Sequence, residues 1–157
     1  MLTRFLDKEE AEELRKTFTA MYPLDTSKEG LEARKLAFSN PEAYVLKPQR
    51  EGGGNNIYRS KIPDFLRSLP NESHYNAYIL MELIQPPPLT NSIIREGEVM
   101  TGGVIGELGV YGTILWDVDG TVLQNEEAGW LLRTKGKGVD EGGVAAGFGS
   151  VDSVCLV

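Results

Sequence analysis

Apolar residues recur in two rhythms along this chain, and the change from one to the other divides it. Up to residue 40 the spacing is helical. Asp7, with Glu10 three positions later, makes a capping box, and Ala11, Leu14, Phe18 and Met21 then share one helical face. Pro23 and the Asp25-Thr26-Ser27 cluster end that helix and offer caps for a second, which runs to about Asn40 before Pro41. Residues 1–42 are therefore expected to form a helical pair.

Beyond residue 42 the pattern shortens to strand length. Tyr44–Lys47 and Tyr78–Leu83 are apolar, β-branched and aromatic runs between turn signals. The second is nearly unbroken and reads as a buried central strand, in which Glu82 is costly to bury unless paired or used. Between them, Ser60 is placed to cap a short helix with Ile62, Phe65, Leu66 and Leu69 on its apolar face. Pro86-Pro87-Pro88 forces an extended exit from the second strand. Residues 91–95 and Val110–Trp116 continue the sheet, and Asp119-Gly120 is a hairpin turn signal before Thr121–Gln124. The predicted class is α+β: a helical pair over 1–42, then a mainly antiparallel sheet over 43–157.

The 157 residues, 41% hydrophobic and 25% charged, suit one soluble domain with its own core. No apolar run approaches a membrane span, and the N-terminus lacks the apolar stretch of a signal peptide. The single cysteine, Cys155, leaves no internal disulfide and favours a reducing, cytoplasmic setting. Sixteen basic against 23 acidic residues give a net charge of −7, which argues against nonspecific nucleic-acid binding. The positives nevertheless cluster, at Lys47, Arg50, Arg59 and Lys61 and again at Arg133, Lys135 and Lys137. Such clusters fit a local anionic ligand or, more plainly, a solvated charged face.

Candidate chemistry concentrates in residues 47–56. A short strand delivers Lys47, Arg50 and Glu51 at its mouth, followed by Gly52, Gly53, Gly54, Asn55 and Asn56. Without Cβ atoms the glycines let backbone N–H groups turn toward phosphate oxygens, while Lys47 meets the charge and Glu51 can hold a divalent cation. The pattern is neither a P-loop nor a dinucleotide G-x-G-x-x-G, and a flexible turn after a core strand explains a glycine triplet equally simply. Glu82 and Glu107 can accept hydrogen bonds from an adenine amino group or ribose hydroxyls, and Arg133 can hold a carboxylate bidentately. Taken singly, each also suits an edge-strand charge facing water. Residues 142–147, Gly-Gly-Val-Ala-Ala-Gly, could fold over a ligand as a lid or form a mobile tail. Asp117-Val118-Asp119-Gly120-Thr121 follows an apolar run as in haloacid-dehalogenase-like phosphatases, yet an Asp-Gly hairpin accounts for it fully. One histidine, His74, and one cysteine build neither a metal cluster nor a hydrolase triad.

Five co-linear motifs carry a resemblance that covers essentially the whole chain. They are Lys47–Tyr58, Ile79–Glu82, Gly106–Gly109, Leu132–Lys135 and Gly142–Gly147. In this order and spacing they resemble the eukaryotic glutathione synthetase family, whose members have an ATP-grasp fold and join glycine to γ-glutamylcysteine through an acyl phosphate. The resemblance implies that Lys47 contacts ATP phosphates, that Glu51 ligates Mg2+, and that Gly52–Asn56 form a glycine-rich lid with Tyr58 beside the nucleotide. Met81, Glu82, Leu83 and Ile84 would line the adenine pocket, with Glu107, Lys135 and Glu141 also at ATP. Arg133, Val144 and Ala145 would face the peptide or glycine. Arg59 stands where the family pattern places a glycine. Family members run to roughly three times this length, so the chain is expected to correspond to their C-terminal part, without the upstream substrate domain. The family's homodimer contacts would then lie largely outside it. A ligase portion and a non-catalytic ATP-binding remnant, or a partner of a full-length subunit, are both compatible with these residues.

Overall fold

The computed structural model describes residues 2–49, 54–95, 97–144, 147 and 149–154. The chain divides into two compact units, Met1–Gln85 and Pro86–Val157. Each has its own four-stranded antiparallel sheet, so the sheet expected over 43–157 is split in two, and its first half lies with the helices.

In the first unit the expected capping box is present: the Asp7 side chain accepts from the Glu10 N–H at 2.9 Å, and the Glu10 carboxylate accepts from the Asp7 N–H at 3.1 Å. It opens helix α1, Lys8–Arg15. The helix does not continue to Met21. Residues Met21–Pro23 form strand β1, and Leu14, Phe18 and Met21 are exposed. The physical reason is the sheet edge. A strand here satisfies backbone groups of the neighbouring strand β4, Tyr78–Glu82, and the Glu82 N–H donates to the Ala20 carbonyl at 2.9 Å. The second helix, α2 (Lys28–Ser39), starts where predicted, with Ser27 accepting from the Gly30 N–H at 3.0 Å.

Strands β2 (Tyr44–Pro48) and β3 (Ile57–Tyr58) complete the sheet in the order β1-β4-β2-β3, and helix α3 (Lys61–Ser68) packs beside them. Ser60 occupies the position before α3 but makes no side-chain capping bond. Alternation along β2 and β4 sends Tyr44, Leu46 and Leu80 into a core shared with Leu24, Ala33, Ala37, Ile62, Leu66 and Tyr75. β4 is central, as predicted, yet Leu80 is its one fully buried side chain and Glu82 is exposed at its end.

Two features of the α2 entry give testable expectations. A Cβ on Gly30 would lie 2.5 Å from the Asp25 carbonyl oxygen, a backbone atom with little freedom to move. Gly30→Ala is thus expected to cost about 1–3 kcal/mol, opposite in sign to the ~1 kcal/mol gain usual for this change inside a helix; urea unfolding followed by circular dichroism measures it. Asp25 accepts from the hydroxyl and N–H of Ser27, which holds its carboxyl below the ordinary value of 3.8. A depressed folded-state pKa supplies stability above the unfolded value and loses it as pH falls through the folded one. Asp25→Asn should therefore flatten the acid side of the stability profile below about pH 4 and leave the neutral side with no titration step.

The second unit is a sheet in sequence order, β5 (Leu89–Arg95), β6 (Glu98–Trp116), β7 (Val122–Gly136) and β8 (Ser150–Asp152). The β6–β7 hairpin turns where predicted. Gly120 takes φ +88°, and its N–H donates to the Asp117 carbonyl at 2.9 Å. Asp117 and Asp119 accept from the N–H groups of Val118 and Thr121, as turn residues do. Among the described residues Val104 is the buried apolar side chain of this unit. No helix among them is long and apolar enough to cross a membrane.

Candidate nucleotide and substrate site

In the first unit, strand alternation sorts the candidate residues by face. Val45 pairs with both Tyr58 and Met81, and Lys47 pairs with Ile79. Directly opposed residues point to the same side, so Lys47, Tyr58 and Met81 share the sheet face away from the α2–α3 core. Lys47 and Met81 lie about two residues apart along the β2–β4 pair, roughly 7 Å at the ~3.4 Å rise of a strand, an extent a nucleotide can follow. Glu82 does not join this face. It pairs with Tyr44 on the helical side, and burial together with the nearby Tyr22 and Glu82 charges raises the Tyr44 pKa.

The backbone of the expected adenine strip is partly committed. The Glu82 N–H donates to Ala20, the Leu83 N–H donates to the Ala43 carbonyl at 2.8 Å, and the Thr19 hydroxyl donates to the Glu82 carbonyl. Leu83 is half-buried and Ile84 exposed. Any ligand along this strip meets side-chain surface and the remaining backbone groups.

Of the glycine-rich loop, Gly54, Asn55 and Asn56 are described, whereas Arg50, Glu51, Gly52 and Gly53 lie outside the described residues. Asn56 Nδ2 donates to the Tyr58 hydroxyl at 3.2 Å, tying the loop exit to β3. Arg59 takes φ +50° while its N–H donates to the Tyr44 carbonyl. An arginine thus occupies the left-handed conformation that glycine adopts without strain, at the position where the resemblance places a glycine.

The second unit gathers three candidates into one cluster. Glu107 on β6 and Arg133 on β7 are directly paired, and Lys135 lies one pleat further along the same face. The Arg133 Nη2 donates to Glu107 Oε2 at 2.9 Å, and Lys135 Nζ stands 3.1 Å from Glu107 Oε1. Lys135 also donates to the Asp140 carbonyl at 3.0 Å and is nearly enclosed, with 11% of its side chain exposed. Arg133, at 43%, is the accessible cation. The following loop presses onto the carboxylate, since a Cβ on Gly142 would sit 2.8 Å from Glu107 Oε2. Glu141 and Val144 are half-buried in that loop, and Ala145 lies outside the described residues.

The opposite face of this sheet holds residues that sequence reasoning missed. Thr134 is buried and its hydroxyl donates to Asp152 Oδ2 at 2.9 Å, while Asn91 Nδ2 donates to the same oxygen at 3.2 Å. Together they stitch β5, β7 and β8. Nothing local marks them, because the β7–β8 register brings them together across 18 residues.

Among the described residues no three His, Cys, Asp or Glu side chains gather as a cation cage. These residues alone do not fit an all-protein Mg2+ site. Magnesium accompanying a nucleotide characteristically takes one or two carboxylates and the phosphate oxygens instead.

Residues 1–156 match the family described as eukaryotic glutathione synthase, ATP binding domain. The chain is 46% identical over 156 residues to the glutathione synthetase large chain of Schizosaccharomyces pombe, covering 99% of this chain and 31% of that protein. It is 46% identical to the chloroplastic glutathione synthetase of Arabidopsis thaliana, covering all of this chain and 29% of that one. Against the Xenopus laevis glutathione synthetase the identity is 42%, over 34% of its length. The chain therefore spans about three-tenths of the relatives it matches. A solved glutathione synthetase-like effector from Globodera pallida, in apo form, superposes with a TM-score of 0.65 at 23% identity, over 95% of this chain and 30% of that one. At that identity it supports the fold, a mixed helix and antiparallel-sheet arrangement consistent with part of an ATP-grasp protein.

Proposed function

This chain belongs to the eukaryotic glutathione synthase ATP-binding domain family, and from that premise we propose that it is the nucleotide-binding portion of a ligase that joins glycine to γ-glutamylcysteine. In this reading Lys47 meets the ATP phosphates, and Glu51 with the triphosphate oxygens holds Mg2+. Residues Gly52–Asn56 cover the phosphates, and Tyr58, Met81, Leu83 and Ile84 contact the nucleotide. Glu82 lies nearby on the helical side. Glu107, Lys135 and Glu141 complete the ATP side, and Arg133, Val144 and Ala145 face the peptide or glycine. A reducing, cytoplasmic setting fits the lone cysteine, and a homodimer would assemble through contacts outside this segment.

The observation that carries the reading is the Glu107–Arg133–Lys135 cluster closed by Gly142. It offers what acyl phosphate chemistry needs from a protein: fixed cations beside an anionic reactant, under a glycine segment able to exclude water. Phosphoryl transfer depends mainly on positioning and charge stabilisation, and in this reading Lys47, Lys135 and Arg133 would supply cations for it. The coverage of about three-tenths of each relative favours a second reading for the chain by itself, a nucleotide-binding segment without turnover.

Calorimetric titration with Mg-ATP tests the shared premise. The chain is expected to bind, and Lys47→Ala to weaken binding by about tenfold or more, the worth of one charge-assisted hydrogen bond. Binding left unchanged by both Lys47→Ala and Lys135→Ala would remove the nucleotide reading.

A further inference from the structure

The Glu107 carboxylate spends one oxygen on each of two cations, Oε2 on Arg133 at 2.9 Å and Oε1 on Lys135 at 3.1 Å. The backbone at Gly142 passes close to the same carboxylate, since a Cβ there would sit 2.8 Å from Oε2. Lys135 is further tied to the Asp140 carbonyl. The three side chains together carry a net charge of +1, with a negative centre between two positive ones. We propose that Glu107 is a specificity-determining residue: it keeps bare polyphosphate off Arg133 and Lys135 while admitting a nucleotide. This rests on the nucleotide-site reading given above.

An anion approaching Arg133 or Lys135 must compete with a carboxylate already hydrogen-bonded to the first and ion-paired with the second. It also meets that carboxylate's repulsion at a few ångströms, where one unit of charge changes affinity severalfold even at a high effective dielectric constant. Inorganic tripolyphosphate has only acceptors to offer and bears the full penalty. A nucleotide brings hydroxyl and amino donors, and a carboxylate can accept from them. Glu107 thus converts a generic anion site into one that favours an anion carrying its own donors. Arg133, the more exposed cation, keeps donors on its guanidinium beyond the one Glu107 uses, so a ligand carboxylate can still dock there.

The test is calorimetric titration of the 157-residue chain with metal-free tripolyphosphate and, separately, metal-free ATP at fixed low ionic strength. Glu107→Gln keeps the shape and removes the charge; it is expected to bind tripolyphosphate about five- to tenfold tighter than wild type, with a smaller gain or a loss for ATP. Glu107→Asp keeps the charge and should bind tripolyphosphate no tighter than wild type. Adding Arg133→Ala and Lys135→Ala to Glu107→Gln should erase the gain. The proposal is overturned if Glu107→Gln binds tripolyphosphate no tighter than wild type. It is equally overturned if the gain survives loss of both cations, or if ATP gains as much as tripolyphosphate. Circular dichroism melts of each variant separate misfolding from lost binding. Failure of the wild-type chain to bind Mg-ATP would sink the nucleotide reading by itself, while the tripolyphosphate comparison still reports whether Glu107 guards the two cations.

Discussion

Supplied with γ-glutamylcysteine, glycine and Mg-ATP, the purified 157-residue chain is expected to release no glutathione and no ADP above the uncatalysed background. The chain spans 29–34% of the relatives compared. Acyl phosphate formation requires cations around the triphosphate and walls around the peptide, and each absent charge weakens transition-state stabilisation. Among the described residues no three His, Cys, Asp or Glu side chains gather into a cation site, and in the proposed reading Arg133 would face only one side of the peptide. Combined with the remainder of the Schizosaccharomyces pombe large chain, turnover is expected to appear, and Arg133→Ala to lower it by about 100-fold or more, as loss of a transition-state charge contact does. Glutathione and ADP are followed together, so uncoupled ATP hydrolysis is visible. Turnover by the isolated chain that disappears with Lys47→Ala or Arg133→Ala would show that this segment suffices.

The largest effect on stability is expected at Arg34. Its side chain, carried by α2, is nearly buried, donates from Nε and Nη2 to the Leu24 carbonyl at 3.0 and 2.9 Å, and lies 5.1 Å from the centre of the Tyr75 ring. Arg34→Ala leaves that carbonyl without its two donors and opens a cavity against Tyr75, so a loss of about 3–5 kcal/mol is expected. Its ion-pair partner behaves differently. Glu72 is 76% exposed, and removing it should cost no more than about 1 kcal/mol, the range of surface salt bridges. Denaturant unfolding of Arg34→Ala and Glu72→Ala compares the two. Equal costs would mean that the pair, and not the buried bonds to Leu24, carries the stabilisation.

Local signals in the sequence located most of the elements. Ser27 starts α2 and Gly120 turns the β6–β7 hairpin because each supplies chemistry that the backbone needs at one position: an acceptor for an open N–H, or a glycine that takes positive φ without strain. Ser60 marks the start of α3 without making a capping bond. The Phe18–Met21 segment departs from the helix that its spacing predicts for the complementary reason. Its spacing suits a helix, yet β4 offers backbone partners that a periodicity count over 21 residues does not contain.

The candidate site divides along the same line. Residue types alone singled out Lys47, Glu107, Arg133 and Lys135, because charges and glycines beside apolar strands are costly without a use. Which of them share a face was settled by strand register: the pairing of Val45 with Met81 set Glu82 on the helical side, and the pairing of Glu107 with Arg133 built the ion cluster. The Asn91–Thr134–Asp152 stitch had no sequence signal at all. The sequence by itself determined most of the elements, their antiparallel class and the chemistry available, since these follow from short-range sterics and hydrogen-bonding needs. Only the tertiary structure decided partners and faces, because a one-residue change of register reverses the face of every side chain on a strand, and register is set by packing between residues far apart in the chain.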